Sequence, residues 1–328
     1  MKKRILTWLK PTDSQLHLGN YFGAIKPFMD MANKFPDAEI FLFLANMHAF
    51  TQLHDGNQLK QNSINIVKLY AACGADLDRF LIYSPADIPG HAQLNRVLTC
   101  LTIMGSMERM HSYKDSLAKW KAGEISVGTF CYPILMAADI LLYDTDIVPV
   151  GQDQKQHVEY ARDVAQKFNR AYGETFKIPD VYIQSDVAIV PGIDGRKMSK
   201  SYNNYIGLLD DEKVVLKKVK QIPTDAKTVE EPKDPDTCNV YKVCKLFLTS
   251  EEDQALRVRY QAWWLSYKDA KDYLYEKIMA FLKPIQEKYA TISDEEIIAL
   301  LKKNADVVWK IAEKKITEVY KKVGFSLN

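Results

Sequence analysis

The sequence predicts an α/β fold with a doubly wound parallel sheet and a mostly helical C-terminal domain. The first observation is a series of short apolar runs of strand length that alternate with segments of helical spacing. The second is that the run from Glu39 to Ala45 is apolar almost throughout, which is typical of a strand buried on both faces. The third is a change of character near Asp210, beyond which charged helical segments dominate.

The elements of the predicted sheet follow one another along the first half of the chain. A first strand is expected at Arg4 to Leu9, and the turn 10–14 leads into a helix beginning near Leu18. The remaining elements are a helix at Leu59 to Cys73 that ends at Gly74, and strands at Phe80 to Ser84 and Ile147 to Val150. In such a Rossmann-like sheet, ligands bind at the carboxyl ends of the strands, where the turns 10–20 and 151–154 both fall.

The second half of the chain is predicted to be helical. Three charged segments are expected to form helices, at Asp211 to Gln221, Glu251 to Lys283 and Asp294 to Lys322, with a loop over 224–237. We therefore expect a first domain over 1–190, a loop over 191–205 and a helical domain over 206–328. The last helix is a candidate for packing back on the first domain.

Composition excludes several classes of protein. The 328 residues are 47% hydrophobic and 26% charged, which is ordinary for a soluble globular chain of two domains. The formal net charge is only +2, so a nucleic-acid partner would require a local basic patch. No apolar run reaches membrane-spanning length and the start is too short for a signal peptide, so we expect a cytoplasmic protein. The five cysteines never follow a Cys-x-x-Cys spacing, which argues against a disulfide framework or a structural zinc site.

Two short motifs about 180 residues apart point to phosphate handling. The first is Leu16-His17-Leu18-Gly19-Asn20, where glycine allows close backbone approach and a helix start presents free N–H donors to an anion. The second is Lys197-Met198-Ser199-Lys200-Ser201 on a loop flanked by glycines, with two lysines suited to phosphate charge. Alone, the first could be an ordinary helix-start turn and the second a solvated basic loop. Their occurrence in one α/β chain favours a phosphate site.

A central block carries a single acid inside an apolar helix. The helix is Tyr132-Pro-Ile-Leu-Met136-Ala-Ala-Asp139-Ile-Leu-Leu-Tyr143, and it leads to Asp146-Ile-Val-Pro-Val-Gly-Gln-Asp-Gln-Lys-Gln-His157. Because burying an unpaired carboxylate is costly, Asp139 should face a partner. From the pattern alone, that partner could equally be a lysine or arginine in a structural ion pair.

Together these residues resemble a known enzyme family. The two motifs are similar to the HIGH and KMSKS signatures of class I aminoacyl-tRNA synthetases, and the central block resembles bacterial-type tryptophanyl-tRNA synthetases. The pairs Arg162-Asp163 and Phe168-Asn169 and the segment Pro284 to Tyr289 continue the likeness, which runs nearly end to end. Tyrosyl relatives share the two motifs but not the central block, so tyrosine specificity is the nearest alternative.

The resemblance implies two adjoining sets of site residues. Tryptophan would be bound by Leu6, Met136, Asp139, Val148, Val150 and Gln154, with Asp139 accepting the indole N–H. ATP would be bound by Lys10, Pro11, Thr12, Gly19, Asn20, Gly151, Gln152, Asp153, Ile189, Lys197, Met198, Ser199, Lys200 and Ser201. Catalysis would depend on His17, Lys197 and Lys200. No metal-ligating side chain is implied.

The implied reaction activates L-tryptophan with ATP and transfers it to the 3′ end of tRNA-Trp. Mg²⁺ would accompany the triphosphate, the helical domain would read the anticodon, and the family is homodimeric. Since the attacking carboxylate is already an anion, positioning and charge neutralisation would suffice. Two other classes are a non-tRNA adenylyltransferase, which would lack the helical domain, and an inactive paralogue, which we would expect to have lost Lys200 or Asp139.

Three residues depart from the family pattern. Relatives usually have glycine at the positions of Trp8 and Asp13, and a lysine at the position of Ser116, for which Lys119 could substitute. These departures concern the ATP contacts and leave the implied indole pocket unchanged.

Overall fold

A parallel sheet of five strands forms the centre of the molecule. The computed structural model describes residues 2–13, 15–183, 190–262 and 264–327. All strand pairs are parallel, in the order β3-β2-β1-β4-β5. The strands are β1 Arg4–Leu9, β2 Glu39–Leu44, β3 Phe80–Tyr83, β4 Ile147–Val150 and β5 Asp180–Ile183. The predicted α/β fold is confirmed, and β5 is an addition that the sequence analysis did not foresee.

Both faces of the sheet are buried, which explains the continuous apolar strands. In β2, Ile40, Leu42 and Leu44 belong to one core cluster, whereas Phe41 and Phe43 belong to the other. This alternation follows from the two-residue period of a strand. Each face therefore needs its own layer of helices, as expected for a doubly wound sheet.

Short and long helices alternate with the strands in the first 190 residues. The first, α1, continues through a π-helical turn at Tyr21–Ile25 into α2. The helices are α1 Leu18–Asn20, α2 Lys26–Lys34, α3 Asn46–Ala49, α4 Gly56–Ala72, α5 Gly90–Leu101, α6 Met104–Glu108, α7 His111–Lys119, α8 Val127–Phe130, α9 Tyr132–Leu141 and α10 Lys155–Tyr172. The predicted helices near Leu18 and over Leu59 to Cys73 are confirmed.

Among the described residues after 206, the α-helices are α11 Glu212–Lys220, α12 Asn239–Cys244, α13 Ser250–Gln261, α14 Tyr267–Thr291 and α15 Asp294–Lys322. The prediction of one helix over Glu251 to Lys283 is wrong. Trp264 has φ +77°, which a right-handed helix cannot contain, and its N–H donates to the carbonyl of Val229. The second helix also continues beyond Pro284, because Ile285 is buried and Gln286 donates to the carbonyls of Leu208 and Asp210.

The last helix, α15, packs against the sheet. Asn304 is buried and donates to the carbonyl of Ile82 at 3.0 Å, which places α15 on β3. Val308, Ala312 and Val319 of α15 belong to the same core cluster as Phe41 and Phe43. Among the residues that the structure describes, no helix is both long and apolar enough to span a membrane.

Candidate active site

Two adjoining cavities open at the carboxyl edge of the sheet. One, of about 490 Å³, is lined by the ends of β1 and β4 and by the turn Gly151 to Gln154. The other, of about 470 Å³, is lined by His17, Gly19, Asn20 and the loop from Lys197 to Ser199. Gly23, Ala24 and Lys197 line both. The two cavities therefore meet at the Lys197 side chain, at the edge where ligands of such sheets bind.

A short antiparallel pairing brings the two phosphate motifs together. The Leu18 N–H donates to the Ile206 carbonyl at 3.0 Å, and the Leu208 N–H donates to the Leu16 carbonyl at 2.8 Å. His17 and Gly207 form the bridge between these two bonds. Segments about 190 residues apart in sequence are thereby fixed side by side, with the loop 190–205 directly before the pairing.

His17 caps the helix that starts the first motif. Its ring Nδ1 accepts from the backbone N–H of Asn20, and its backbone N–H donates to Asn20 Oδ1 at 3.0 Å. Burial, together with the nearby Lys200 and Lys218 charges, lowers the pKa of His17 to about 4. Above that pH the imidazole is neutral, so it can accept the capping bond. A Cβ at Gly19 would lie 2.9 Å from the His17 ring, so this position requires glycine.

A buried asparagine, Asn204, organises the loop of the second motif. Its Oδ1 accepts from the Ser199 N–H at 2.7 Å, and its Nδ2 donates to Asp194 Oδ1 and to the Lys197 carbonyl. Asn204 is 1% exposed, and a Cβ at Gly192 would lie within 2.6 Å of its atoms. The sequence analysis did not select this residue, since one asparagine in a polar loop carries no signal of burial.

The two motif lysines have different partners. Lys200 pairs with Asp13 at 3.2 Å and also donates to the Gln15 carbonyl. Lys197 is exposed and makes no ion pair with any residue in the described ranges. Asp13, which stands where relatives usually have glycine, is thus the carboxylate that holds Lys200. Met198 is buried, and its Sδ accepts from the Gly19 N–H at 3.2 Å.

Four other residues assigned to ATP, Lys10, Pro11, Thr12 and Ser201, do not line either cavity. Lys10 donates to Gln52 Oε1 at 3.4 Å, and its burial lowers the pKa of its ammonium group. The carbonyl of the buried Pro11 accepts from Asn62, and Thr12 is half-buried. Ser201 is exposed, and its N–H donates to Ser199 Oγ. Ile189 lies outside the described residues.

The turn after β4 lines the larger cavity with polar groups. Gly151, Gln152, Asp153 and Gln154 all contribute to the wall, and Gln154 Nε2 donates to Asp153 Oδ2 at 2.8 Å. A Cβ at Gly151 would lie 2.7 Å from Asp153 Oδ1, so glycine allows this carboxylate to fold over the turn. Trp8 lines the same cavity.

Asp139 is buried in α9 and held by two histidines. His91 Nδ1 lies 2.5 Å from Oδ1 and His48 Nε2 lies 2.8 Å from Oδ2. Burial by itself would raise the pKa of this carboxyl, but His91 and His48 outweigh it and hold the pKa below its ordinary value. The alternative of an ion pair with lysine or arginine is therefore wrong for this state of the chain. The sequence analysis did not connect His91 to Asp139.

The residues assigned to the indole pocket divide into two groups. Leu6, Met136 and Val148 are at most 2% exposed and share the core cluster that contains α9. Val150 and Gln154 line the larger cavity, on the side of the Gly151 turn. Of the residues assigned to the indole pocket, Val150 and Gln154 thus line the cavity, whereas Leu6, Met136, Val148 and Asp139 are buried in the core.

Sequence and structure comparisons place the chain among known enzymes. The family model of the tRNA synthetases class I (W and Y) matches residues 2–283. The tryptophan–tRNA ligase of Campylobacter jejuni (strain RM1221) is 42% identical over 323 residues, covering 98% of this chain and 99% of that protein. The Neisseria meningitidis serogroup A enzyme of the same name is 39% identical, covering 98% of each chain.

Solved structures agree with these relatives. The crystal structure of tryptophanyl-tRNA synthetase from Campylobacter jejuni complexed with ADP and tryptophan has a TM-score of 0.91 at 42% identity, covering 98% of this chain and 99% of that one. The Mycoplasma pneumoniae enzyme has a TM-score of 0.79 at 29% identity, over 99% of this chain and 98% of that one. The chain belongs to the class I tRNA synthetases of the tryptophan and tyrosine group.

Proposed function

We propose that the chain is a tryptophan–tRNA ligase, which activates L-tryptophan with ATP and transfers it to tRNA-Trp. The observation that carries this proposal is the pairing of Leu16–Leu18 with Ile206–Leu208, which sets the two phosphate motifs on one cavity. The choice of tryptophan is supported by the full-length likeness to tryptophan–tRNA ligases and by the buried carboxylate of Asp139, which can accept an N–H.

In the first step, the tryptophan carboxylate attacks the α-phosphate of ATP and pyrophosphate leaves. The carboxylate is already a nucleophile, so the enzyme has to position it and neutralise the charge that develops on the leaving group. Lys197, at the junction of the two cavities, and Lys200, which exchanges Asp13 for phosphate oxygens, supply positive charge. In the second step, the terminal ribose of the tRNA takes the tryptophanyl group and AMP leaves.

ATP contacts are assigned to both motifs. The triphosphate lies against Lys10, Thr12, Gly19, Asn20 and the loop Lys197 to Ser201, and the neutral His17 fixes the helix start that faces it. The ribose lies on Gly151, Gln152 and Asp153. The Gly19 N–H is bonded to Met198 Sδ in the free chain, so that bond has to change if this N–H contacts phosphate.

Magnesium belongs with the substrate in this proposal. Among the described residues, no group of three or more His, Cys, Asp or Glu side chains could hold a metal ion. Besides Asp153 and His17, which stand singly, the cavity walls offer Lys197, amides and hydroxyls. Mg²⁺ therefore fits as the counter-ion of the triphosphate, which supplies most of its oxygen ligands.

Tryptophan is selected by the buried carboxylate. Oδ2 of Asp139 accepts the indole N–H, the apolar side chains Leu6, Met136, Val148 and Val150 contact the ring, and Gln154 binds the amino-acid head. Phenylalanine has no side-chain N–H to replace the His48 donor at Oδ2, and a site built to bond a substrate N–H disfavours an analogue that lacks it by roughly 10⁴-fold or more. Tyrosine would have to place its hydroxyl at the same carboxylate.

The anticodon of tRNA-Trp is read by the helical region after residue 206. Some basic and aromatic side chains of this region already have partners in the chain, since Arg257 pairs with Asp236 and Tyr267 Oη donates to Asp225. Trp264, Arg259 and Lys268 are exposed, with Trp264 at 72%. Basic and aromatic groups in this arrangement suit unstacked bases. Trp263 lies outside the described residues.

A homodimer in the cytoplasm is the assembly and location we propose. Ile103, Met104, Trp120 and Val127 are each more than 60% exposed, which is unusual for large apolar side chains on a monomer surface. ATP and tRNA are substrates that the cytoplasm provides. Sedimentation velocity at micromolar concentration should give twice the mass of the chain.

ATP–pyrophosphate exchange with tryptophan and with tyrosine tests the proposed activity. We expect exchange that depends on tryptophan and is at background with tyrosine, followed by charging of tRNA-Trp in the presence of tryptophan. Equal exchange with the two amino acids would contradict the choice of substrate. Exchange without tRNA charging would limit the proposal to the first step.

A further inference from the structure

Asp139 lies in a buried chain of hydrogen bonds, of which the proposed function uses only one end. His91 Nδ1 is 2.5 Å from Oδ1, His48 Nε2 is 2.8 Å from Oδ2, and His91 Nε2 is 2.6 Å from the Tyr143 hydroxyl. None of the four side chains is more than 3% exposed. Water therefore cannot replace any of these partners without a change in packing.

The chemistry of the carboxylate fixes the direction of the two hydrogen bonds that it makes. An ionised carboxylate only accepts, so His91 Nδ1 and His48 Nε2 must carry protons. Burial raises the pKa of the Tyr143 hydroxyl well above its ordinary value, so that hydroxyl keeps its proton in the hydrogen bond with His91 Nε2. Tyr143 thereby fixes the far side of the His91 ring, and Nδ1 is held toward Oδ1 of Asp139.

The two oxygens of Asp139 face different surroundings. On the Oδ1 side, the His91 ring lies 6.4 Å from Phe43 and 6.0 Å from Tyr83, which are core residues. On the Oδ2 side, the His48 ring lies 4.2 Å from Tyr132, which in turn lies 5.8 Å from His157. His157 is in the first turns of α10, just after the Gly151 turn that lines the larger cavity.

The Oδ2 side also contains buried polar atoms that lack a partner. Within the described parts of the chain, Nδ1 of His48 and Nδ1 of His157 have no hydrogen-bond partner. Both side chains are at most 5% exposed. Buried polar atoms are normally paired, so these two nitrogens are atoms to which a ligand donor or an ordered water can bond. On the Oδ1 side the Tyr83 hydroxyl is also buried without a partner in the described ranges, but Oδ1 itself is bonded to His91, whose other ring nitrogen is bonded to Tyr143.

We propose that His91 is a positioning residue for tryptophan selection, which pins Oδ1 of Asp139 so that Oδ2 alone is offered to an N–H donor. In the free chain that donor is His48, and in the complex it is the indole N–H. This inference rests on the proposed activation of tryptophan. A carboxylate held at Oδ1 cannot rotate toward another donor when the substrate has no indole N–H. The difference in binding free energy between tryptophan and a substrate without an indole N–H is therefore kept.

The test compares two substrates of nearly the same shape. Pyrophosphate exchange is measured with tryptophan and with 3-(1-benzothiophen-3-yl)alanine, in which sulfur replaces the indole N–H. The readout is the ratio of kcat/KM for tryptophan to kcat/KM for the analogue. The ratio is independent of the fraction of active enzyme, so partial misfolding of a variant does not change it.

The ratio is measured for the wild-type chain and for four variants. We expect His91→Leu to lower the ratio about tenfold or more, mainly through a higher KM for tryptophan. His91→Asn should recover part of it, because its amide can still donate to Oδ1. Tyr143→Phe should lower the ratio by a smaller factor and serves if His91→Leu does not fold. Tyr160→Phe, which removes a hydroxyl bonded to Thr102 outside the chain, should leave the ratio unchanged.

Two results would overturn the inference. Equal slowing of both substrates by His91→Leu and by Tyr143→Phe would show a structural role without any part in selection. A wild-type chain that does not use tryptophan would overturn the proposed function itself, which is a separate outcome and is visible before any variant is made.

Discussion

The two halves of the candidate site are built in opposite ways. At the tryptophan end, Asp139, His91 and His48 are at most 3% exposed, and both carboxylate oxygens are already bonded. At the phosphate end, Lys197 is exposed and Lys200 is held by Asp13, a surface carboxylate. Under the proposed function, this difference predicts that amino-acid selection depends on a prebuilt pocket, whereas phosphate binding depends on charges that change partners when ATP binds.

The largest effect should come from Lys200. If it acts on charge that develops only in the transition state, Lys200→Ala should lower the rate of adenylate formation about 10²-fold or more, while the affinity for ATP changes little. Lys197→Ala should affect both quantities, and Ser199→Ala and Ser201→Ala should matter less. A single-turnover adenylation assay at saturating tryptophan and MgATP measures this. Lys213→Ala, an exposed lysine on α11, is the control, and a wild-type rate for Lys200→Ala would contradict the comparison.

The next effect should come from Asp139. Asp139→Asn keeps the volume of the side chain but gives two histidine donors only one acceptor oxygen, and it weakens a charge-assisted bond of roughly 1.5–3 kcal/mol. We expect kcat/KM for tryptophan to fall about 10- to 100-fold through KM, with KM for ATP little changed. Asp146→Asn is the matched control, because Asp146 pairs with Lys177 at another edge of the sheet. An unchanged KM for tryptophan would show that Asp139 is only structural.

A smaller effect is expected from Asn204, which shapes the phosphate loop without reaching the substrate. Asn204→Ala removes hydrogen bonds to Ser199, Asp194 and Lys197 and leaves the Ser199 N–H without its partner. The adenylation rate should fall about tenfold, and the chain should lose about 1–3 kcal/mol of unfolding free energy. Urea unfolding and the exchange assay measure these, with the exposed Asn57→Ala as control. Equal adenylation rates and equal unfolding free energies for the two variants would show that Asn204 does not shape the phosphate loop.

The smallest effect is expected from Asp13. Asp13→Asn removes a negative charge beside the phosphate cavity and frees Lys200, so KM for MgATP should fall by a few-fold at low salt, and less at high salt. The pairing is largely exposed, with 58% of the Asp13 side chain accessible, which limits its strength. A higher KM for MgATP in this variant would show that Asp13 supports the loop in its binding form.

Many helix and strand bounds could be predicted from the spacing of apolar residues, because burial of one or both faces of an element imposes that spacing on the sequence. β1, β4 and α15 have the predicted bounds, because apolar period and capping residues are local signals. The break at Trp264 and the continuation of α14 through Pro284 depend on contacts with Val229, Leu208 and Asp210, which no local pattern contains. Tertiary contacts here override propensity.

Candidate site residues could be predicted where they belong to a sequence motif. Their hydrogen-bond partners could not, where those partners are distant in sequence. Asp139 was recognisable in the sequence as an acid in an apolar helix. Its partners were not, because His91 lies 48 residues before it and His48 lies 91 residues before it. Asp13 looked like a departure from the family until the structure paired it with Lys200. Such pairings follow from the topology of the sheet and from the Leu16–Leu208 pairing, which place these residues together.

Amide hydrogen exchange tests the contrast between the two halves most directly. Peptides covering Tyr132–Tyr143 and 190–205 would be followed in the free chain, with tryptophan, and with a non-hydrolysable MgATP analogue. The account predicts slow exchange in 132–143 before any ligand is added, and fast exchange in 190–205 that slows only with the nucleotide. Fast exchange of 132–143 in the free chain, together with protection by tryptophan alone of both segments, would contradict it.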